Sequence, residues 1–120
     1  MLITSATDLL LSVGHAHGAA VVTVSGELDA TTARTLEDHL DRLDAHRDVL
    51  VLDLTGVTFC DSVGLASLVD ATRRAVDLRV VGSRQVARTV ALAGMESEVP
   101  LFDSVPDATS GRACRLASPS

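Results

Sequence analysis

Hydrophobic residues fall in short runs whose spacing changes from one run to the next. Asp8 to Val13 (DLLLSV) and Ala20 to Ser25 (AVVTVS) are dense in branched apolar residues. They flank Gly14-His15-Ala16-His17-Gly18, so they predict two antiparallel strands of a hairpin. After Gly26-Glu27-Leu28-Asp29 the period lengthens. Ala33, Leu36, Leu40 and Leu43 recur every three or four residues, with Glu37, Asp38, Asp41, Arg42 and Asp44 between them, as on an amphipathic helix. Asp29 or Thr31 can cap that helix by accepting from its first N–H groups. Asp48 to Leu54 (DVLVLDL) is apolar enough for a central strand. A second helix is expected over about 62–75, with Leu65, Leu68, Val69 and Thr72 inside and Asp70, Arg73 and Arg74 outside.

Asp77 to Val81 (DLRVV) predicts a further strand, and Ser83 is placed to cap a third helix that ends at Gly94. Val99 to Phe102 suits a last short strand. Beyond Asp103, Ser104-Val105-Pro106 can open a short helix, and Gly111 and the terminal Ser-Pro-Ser argue for a frayed end. The order is β-β-α-β-α-β-α-β with an undecided tail. It predicts one α/β domain over 1–120, with its core over about 8–103. The sheet is expected to be mixed, of four to five strands, with an N-terminal hairpin followed by parallel β-α-β units and helices packed on it. In such a sheet, strand C-termini and the following helix N-termini line one edge, where sites form. Two polar junctions fall on that edge: GELDATT after the second strand and CDSVG after the third.

Composition narrows the functional classes. The chain has 120 residues and a formal net charge of −6, and its cationic residues are all Arg. A nucleic-acid binder would need a basic patch, and the absence of Trp and Tyr removes most stacking platforms. No direct nucleic-acid partner is expected. No apolar run reaches the roughly 20 residues that cross a bilayer, and Met1-Leu2-Ile3-Thr4 lacks a basic leader, so no membrane partner and a cytoplasmic location are expected. Cys60 and Cys114 make no disulfide framework; Cys60 reads as a small buried hydrophobe and Cys114 as a free thiol.

The junction Phe59-Cys60-Asp61-Ser62-Val63-Gly64-Leu65 interrupts an apolar passage with an acid and a hydroxyl. Both are good helix caps, each worth about 1 kcal/mol over Ala. A catalytic reading lacks its parts. A nucleophile elbow has Gly two residues before Ser, where Cys60 stands, and His15 and His17 lie on the hairpin while His39 and His46 belong to the first helix or its end. His15-x-His17 can chelate a metal, but a solvated turn is the simpler reading, and neither metal nor cofactor is expected. A switching reading asks what phosphate on Ser62 would do. It would add roughly −1.5 to −2 charges at a helix N-terminus, which tolerates an anion, while Asp61 would turn some of that charge outward. Capping and switching are compatible at an exposed helix start.

Three segments in order resemble the STAS domain family, and among its members the stand-alone anti-sigma factor antagonists of bacteria. They are Gly26-Glu27-Leu28-Asp29 with Thr31-Thr32-Ala33, Val51-Leu52-Asp53-Leu54 through Phe59-Cys60-Asp61-Ser62-Val63-Gly64-Leu65, and Leu92-Ala93-Gly94-Met95. The resemblance implies a binding protein and not an enzyme. It implies that Ser62 is phosphorylated by an anti-sigma factor serine kinase of the histidine-kinase-like ATPase type, that the unphosphorylated form binds this kinase and frees a sigma factor, and that a phosphatase resets phospho-Ser62. The next position, often Ser or Thr in the family, is Val63 here, which leaves Ser62 as the motif's only hydroxyl. Partner contact is implied for Asp29, Asp61, Ser62 and Gly64, where a missing side chain suits close approach of a partner backbone. Helix geometry adds Ser67 and Asp70 to that surface. The alternative is a STAS scaffold or a nucleotide- or lipid-sensing module in which Ser62 only caps.

Overall fold

The computed structural model describes residues 2–6, 9–16, 18–43, 49–75 and 77–110. Along the chain the elements are β1 (Leu2–Ala6), β2 (Leu9–Ala16), β3 (Ala19–Leu28), α1 (Ala33–Arg42), β4 (Leu50–Cys60), α2 (Ser62–Arg74), β5 (Leu78–Gly82), α3 (Arg84–Leu92), β6 (Leu101–Phe102) and α4 (Val105–Ser110). The six strands form one sheet in chain order, β1-β2-β3-β4-β5-β6. β1, β2 and β3 are antiparallel, and β3 through β6 are parallel. The mixed α/β sheet with an N-terminal hairpin is the one expected from the pattern. It carries one strand more, because β1 pairs outside β2. His15 lies within strand β2, which runs to Ala16, instead of in the turn; His17, His46 and Cys114 fall outside the described residues.

Alternation along each strand sends side chains to two unequal layers. Leu50, Leu52 and Leu54 of β4 and Leu78 and Val80 of β5 join the larger cluster. There they meet Leu36 and Leu40 of α1, Leu65, Leu68 and Val69 of α2, and Val86 and Val90 of α3. Val51 and Val81 point the other way, to a smaller cluster closed by Ala108 of α4. That helix is tied down by Arg79, whose guanidinium donates to the Ala108 carbonyl, pairs with Asp77 at 3.0 Å and lies 6.0 Å over the Phe102 ring. Arg79 lies in β5 and lends its charge to the helix end and its stem to the apolar layer.

The strand expected over 48–54 continues to Cys60. Pairing shows why the pattern hides this. Between Thr23↔Asp53 and Ser25↔Gly56, β3 advances two residues and β4 three; between Gly26↔Val57 and Glu27↔Phe59, β3 advances one and β4 two. β4 therefore carries two extra residues, and its buried positions step from Leu54 to Val57 to Cys60, at intervals of three. Two bulges have erased the period of two by which a strand is recognised.

Caps close the helices largely as the residue types suggest. The Ser83 side chain accepts from Val86 N–H at 3.1 Å at the start of α3, and Gly94 takes a left-handed φ of 69° after it. α4 opens with Ser104 Oγ accepting from Asp107 N–H at 3.2 Å, with Pro106 in its first turn.

Candidate functional site

The two polar junctions meet. Leu28 and Cys60 are register partners at the ends of β3 and β4, and the Asp61 N–H donates to the Leu28 carbonyl at 3.2 Å. The loop after β3 and the start of α2 are thereby pinned side by side.

On the β3 side, Asp29 organises the loop that leads into α1. Its Oδ1 accepts from the Thr31 hydroxyl at 2.8 Å and from the Thr31 and Thr32 N–H groups at 2.9 and 3.2 Å. The Thr31 hydroxyl, with help from these N–H groups, holds the Asp29 carboxyl below its usual range, and burial opposes them. Thr32 Oγ1 donates to the Glu27 carbonyl at 2.7 Å and accepts from Asp29 N–H at 3.0 Å. Asp29 thus caps the turn before α1, and Thr32, the residue at the helix boundary, makes no side-chain cap of its own.

On the β4 side, division of labour settles which residue caps. Asp61 has extended backbone, φ −95° and ψ −172°, and its Oδ1 accepts from Gly64 N–H at 2.9 Å. Ser62 is the first helical residue and is exposed. Its hydroxyl takes no part in that capping bond. Beneath it, Cys60 is 4% exposed, and burial with the neighbouring Asp61 charge pushes its thiol up to about 11. Thr89 of α3 donates to the Cys60 carbonyl at 3.0 Å and fixes the junction from below.

The expected surface is only partly on the surface. Asp29, Asp61 and Ser62 lie together at the edge, and Asp70 is exposed on the outer face of α2, paired with Arg74 at 3.1 Å. Gly64 is buried, and the close approach it permits is internal: a Cβ there would stand 2.4 Å from the Leu28 carbonyl oxygen. Only a residue without a side chain lets α2 start this near β3. Ser67 is 4% exposed, so it faces the interior of the helix packing and not a partner. The geometric reason is its place between Gly64 and Leu68 on the buried stripe.

Two residues missed as site candidates are exposed beside Ser62. Phe59 is 43% and Val63 46% exposed. Phe59 lies beyond the strand expected over 48–54, and only the bulged strand shows that it shares a sheet face with Glu27, its register partner. Among the described residues no group of three or more His, Cys, Asp or Glu could hold a metal ion, and no helix is long and apolar enough to cross a membrane.

Known proteins resemble this chain in sequence and in fold. The chain is 34% identical over 113 residues to the anti-sigma-F factor antagonist RsfB of Mycobacterium tuberculosis (strain ATCC 25618 / H37Rv), covering 89% of this chain and 93% of that protein. The crystal structure of an anti-sigma factor antagonist from Mycobacterium paratuberculosis matches with a TM-score of 0.80 at 32% identity, over 90% of this chain and 97% of that one. The anti-sigma factor antagonist SpoIIAA in its unphosphorylated form matches with a TM-score of 0.63 at 13% identity, over 84% of this chain and 96% of its own, a likeness of fold. The STAS domain profile matches residues 11–108, and the chain belongs to the STAS domain family.

Proposed function

We propose that this protein is an anti-sigma factor antagonist: unphosphorylated, it binds an anti-sigma factor serine kinase and frees a sigma factor, and phosphate on Ser62 ends that binding. A phosphatase acting on phospho-Ser62 restores the active form. The observation that carries this reading is the separation of roles at the start of α2. Asp61 makes the capping bond to Gly64 while Ser62 stands exposed as the first helical residue. The names of the similar antagonists support the same reading.

Phosphorylation here would change the surface without unfolding the helix. The dianion would sit at the positive end of α2 and beside the Asp61 carboxylate, so its free oxygens would be directed to solvent. A partner closing on this edge would have to dehydrate it. A hundredfold loss of affinity needs about 2.7 kcal/mol, within the cost of burying a charge without a partner.

The test is incubation with the ATPase-type anti-sigma factor kinases of the source organism and ATP, followed by mass spectrometry and binding measurements. Phosphate is expected on Ser62 alone. Ser62→Ala should bind the kinase and keep binding when ATP is added, and Ser62→Asp should bind at least tenfold more weakly. Phosphate on another residue only, or equal binding by both variants with ATP present, would overturn the switch.

A further inference from the structure

Four large apolar side chains are exposed among the described residues, Leu10, Phe59, Val63 and Leu92. Two of them, Phe59 and Val63, bracket Ser62 within five positions of the chain. Scattered exposed hydrophobes are ordinary on a protein surface, but an apolar pair with a polar border marks a place where a partner sits. Neither residue is placed there by the needs of the core. Cys60, Gly64 and Leu65 supply the junction's buried contacts, and Phe59 shares the solvent side of the sheet with Glu27.

The border has one sign. The two segments that form the edge, residues 26–32 and 58–67, contain Glu27, Asp29 and Asp61 and no Lys or Arg; Asp70, further along α2, is held by Arg74. This acidic border belongs to a chain of net charge −6. Complementarity then fixes the character of what docks: an apolar contact surrounded by basic side chains.

We infer that Phe59 and Val63 form the apolar centre of the partner-binding surface and take a partner side chain ringed by Lys or Arg, with Ser62 between them as the gate. This rests on the function proposed above and changes where its switch acts. A basic ring would attract a phosphate, so added charge alone cannot release the partner. Release comes from the centre: a hydrated dianion between Phe59 and Val63 holds the apolar contact open, and steering by the border persists without closure.

The experiment measures binding of the full chain to the anti-sigma factor kinase that captures it, by surface plasmon resonance at 50 and 500 mM salt. Phe59→Gln and Val63→Gln remove apolar character and add neither charge nor hydroxyl. Each is expected to raise Kd at least tenfold through faster dissociation, with the melting temperature unchanged. Leu92→Gln, at the end of α3, should bind like wild type. Glu27→Gln should slow association at 50 mM salt and have little effect at 500 mM. Introducing Ser62→Asp should cost the wild type tenfold or more and the Phe59→Gln/Val63→Gln double variant less than threefold. If the wild type binds and the two Gln variants bind equally well, the apolar centre is wrong and the proposed function stands. If Ser62→Asp costs the double variant as much as the wild type, the gate is wrong. If the wild type binds no such kinase, the proposed function falls and takes this surface with it.

Discussion

Single atoms decide much at the edge. The absent Cβ of Gly64 admits the Leu28 carbonyl, which in turn receives the Asp61 N–H. The sequence made this glycine visible as a place of close approach, but a glycine cannot say from which direction the backbone comes. Its partner lies 36 residues earlier in the same chain. Cys60 was legible as a buried hydrophobe, and its burial has a measurable result. Its thiol is raised from 9.0 to about 11. The stabilising effect is therefore complete below pH 9 and disappears as pH climbs to about 11, because the unfolded chain ionises first. The chain has no Lys and no Tyr, the side chains whose usual range falls in that window beside cysteine. Urea denaturation from pH 8 to 11 should show wild-type stability falling by about 2–3 kcal/mol, while Cys60→Ala stays nearly level.

Among the elements, helices were easier to read than strands. Three of the four helices show a repeat of three to four with a capping residue, and α2 and α3 begin where Asp61 and Ser83 place them. β1 was not seen, because LITSA is brief and has no partner until the hairpin next to it exists. The far half of β4 was hidden by its two bulges, which make its buried positions imitate helical spacing. Helix geometry was misread at Ser67: three residues after Gly64 and one before Leu68, it falls on the buried stripe of α2 and not on the outer face with Asp70. Caps provide the element-scale prediction. Asp61→Ala and Ser83→Ala each remove one acceptor from a helix start and should each lower stability by about 1 kcal/mol in chemical denaturation. Only Asp61→Ala should also alter phosphorylation of Ser62, since it loosens the first turn of α2 and not of α3.

For the molecule as a whole, the sheet separates a large helical layer from a small one closed by α4. The small layer has few apolar residues, and Arg79 ties it to the sheet by a hydrogen bond, an ion pair and a ring contact. Hydrogen bonds involving a charged group are worth about 1.5–3 kcal/mol. Arg79→Ala should lower the urea midpoint by an amount in that range. Hydrogen exchange should rise in α4 and β6, and kinase binding should be unaffected because Ser62 opens α2, whose apolar face packs in the larger layer. The overall architecture was legible from alternating strands and helices, and Ser104-Val105-Pro106 marked the short helix at 105–110; the layer it closes was not legible, because a helix of six has too little periodicity to show which face it buries.

The sheet order has a consequence for how the protein is made. Because β1 to β6 are laid down in chain order, every new strand joins the free margin left by the one before it, and none has to be threaded between two already paired. Strands can therefore be added at one margin in the order in which they are synthesised. The junction that presents Ser62 is closed only when α3 arrives, because Thr89 supplies the hydrogen bond to the Cys60 carbonyl.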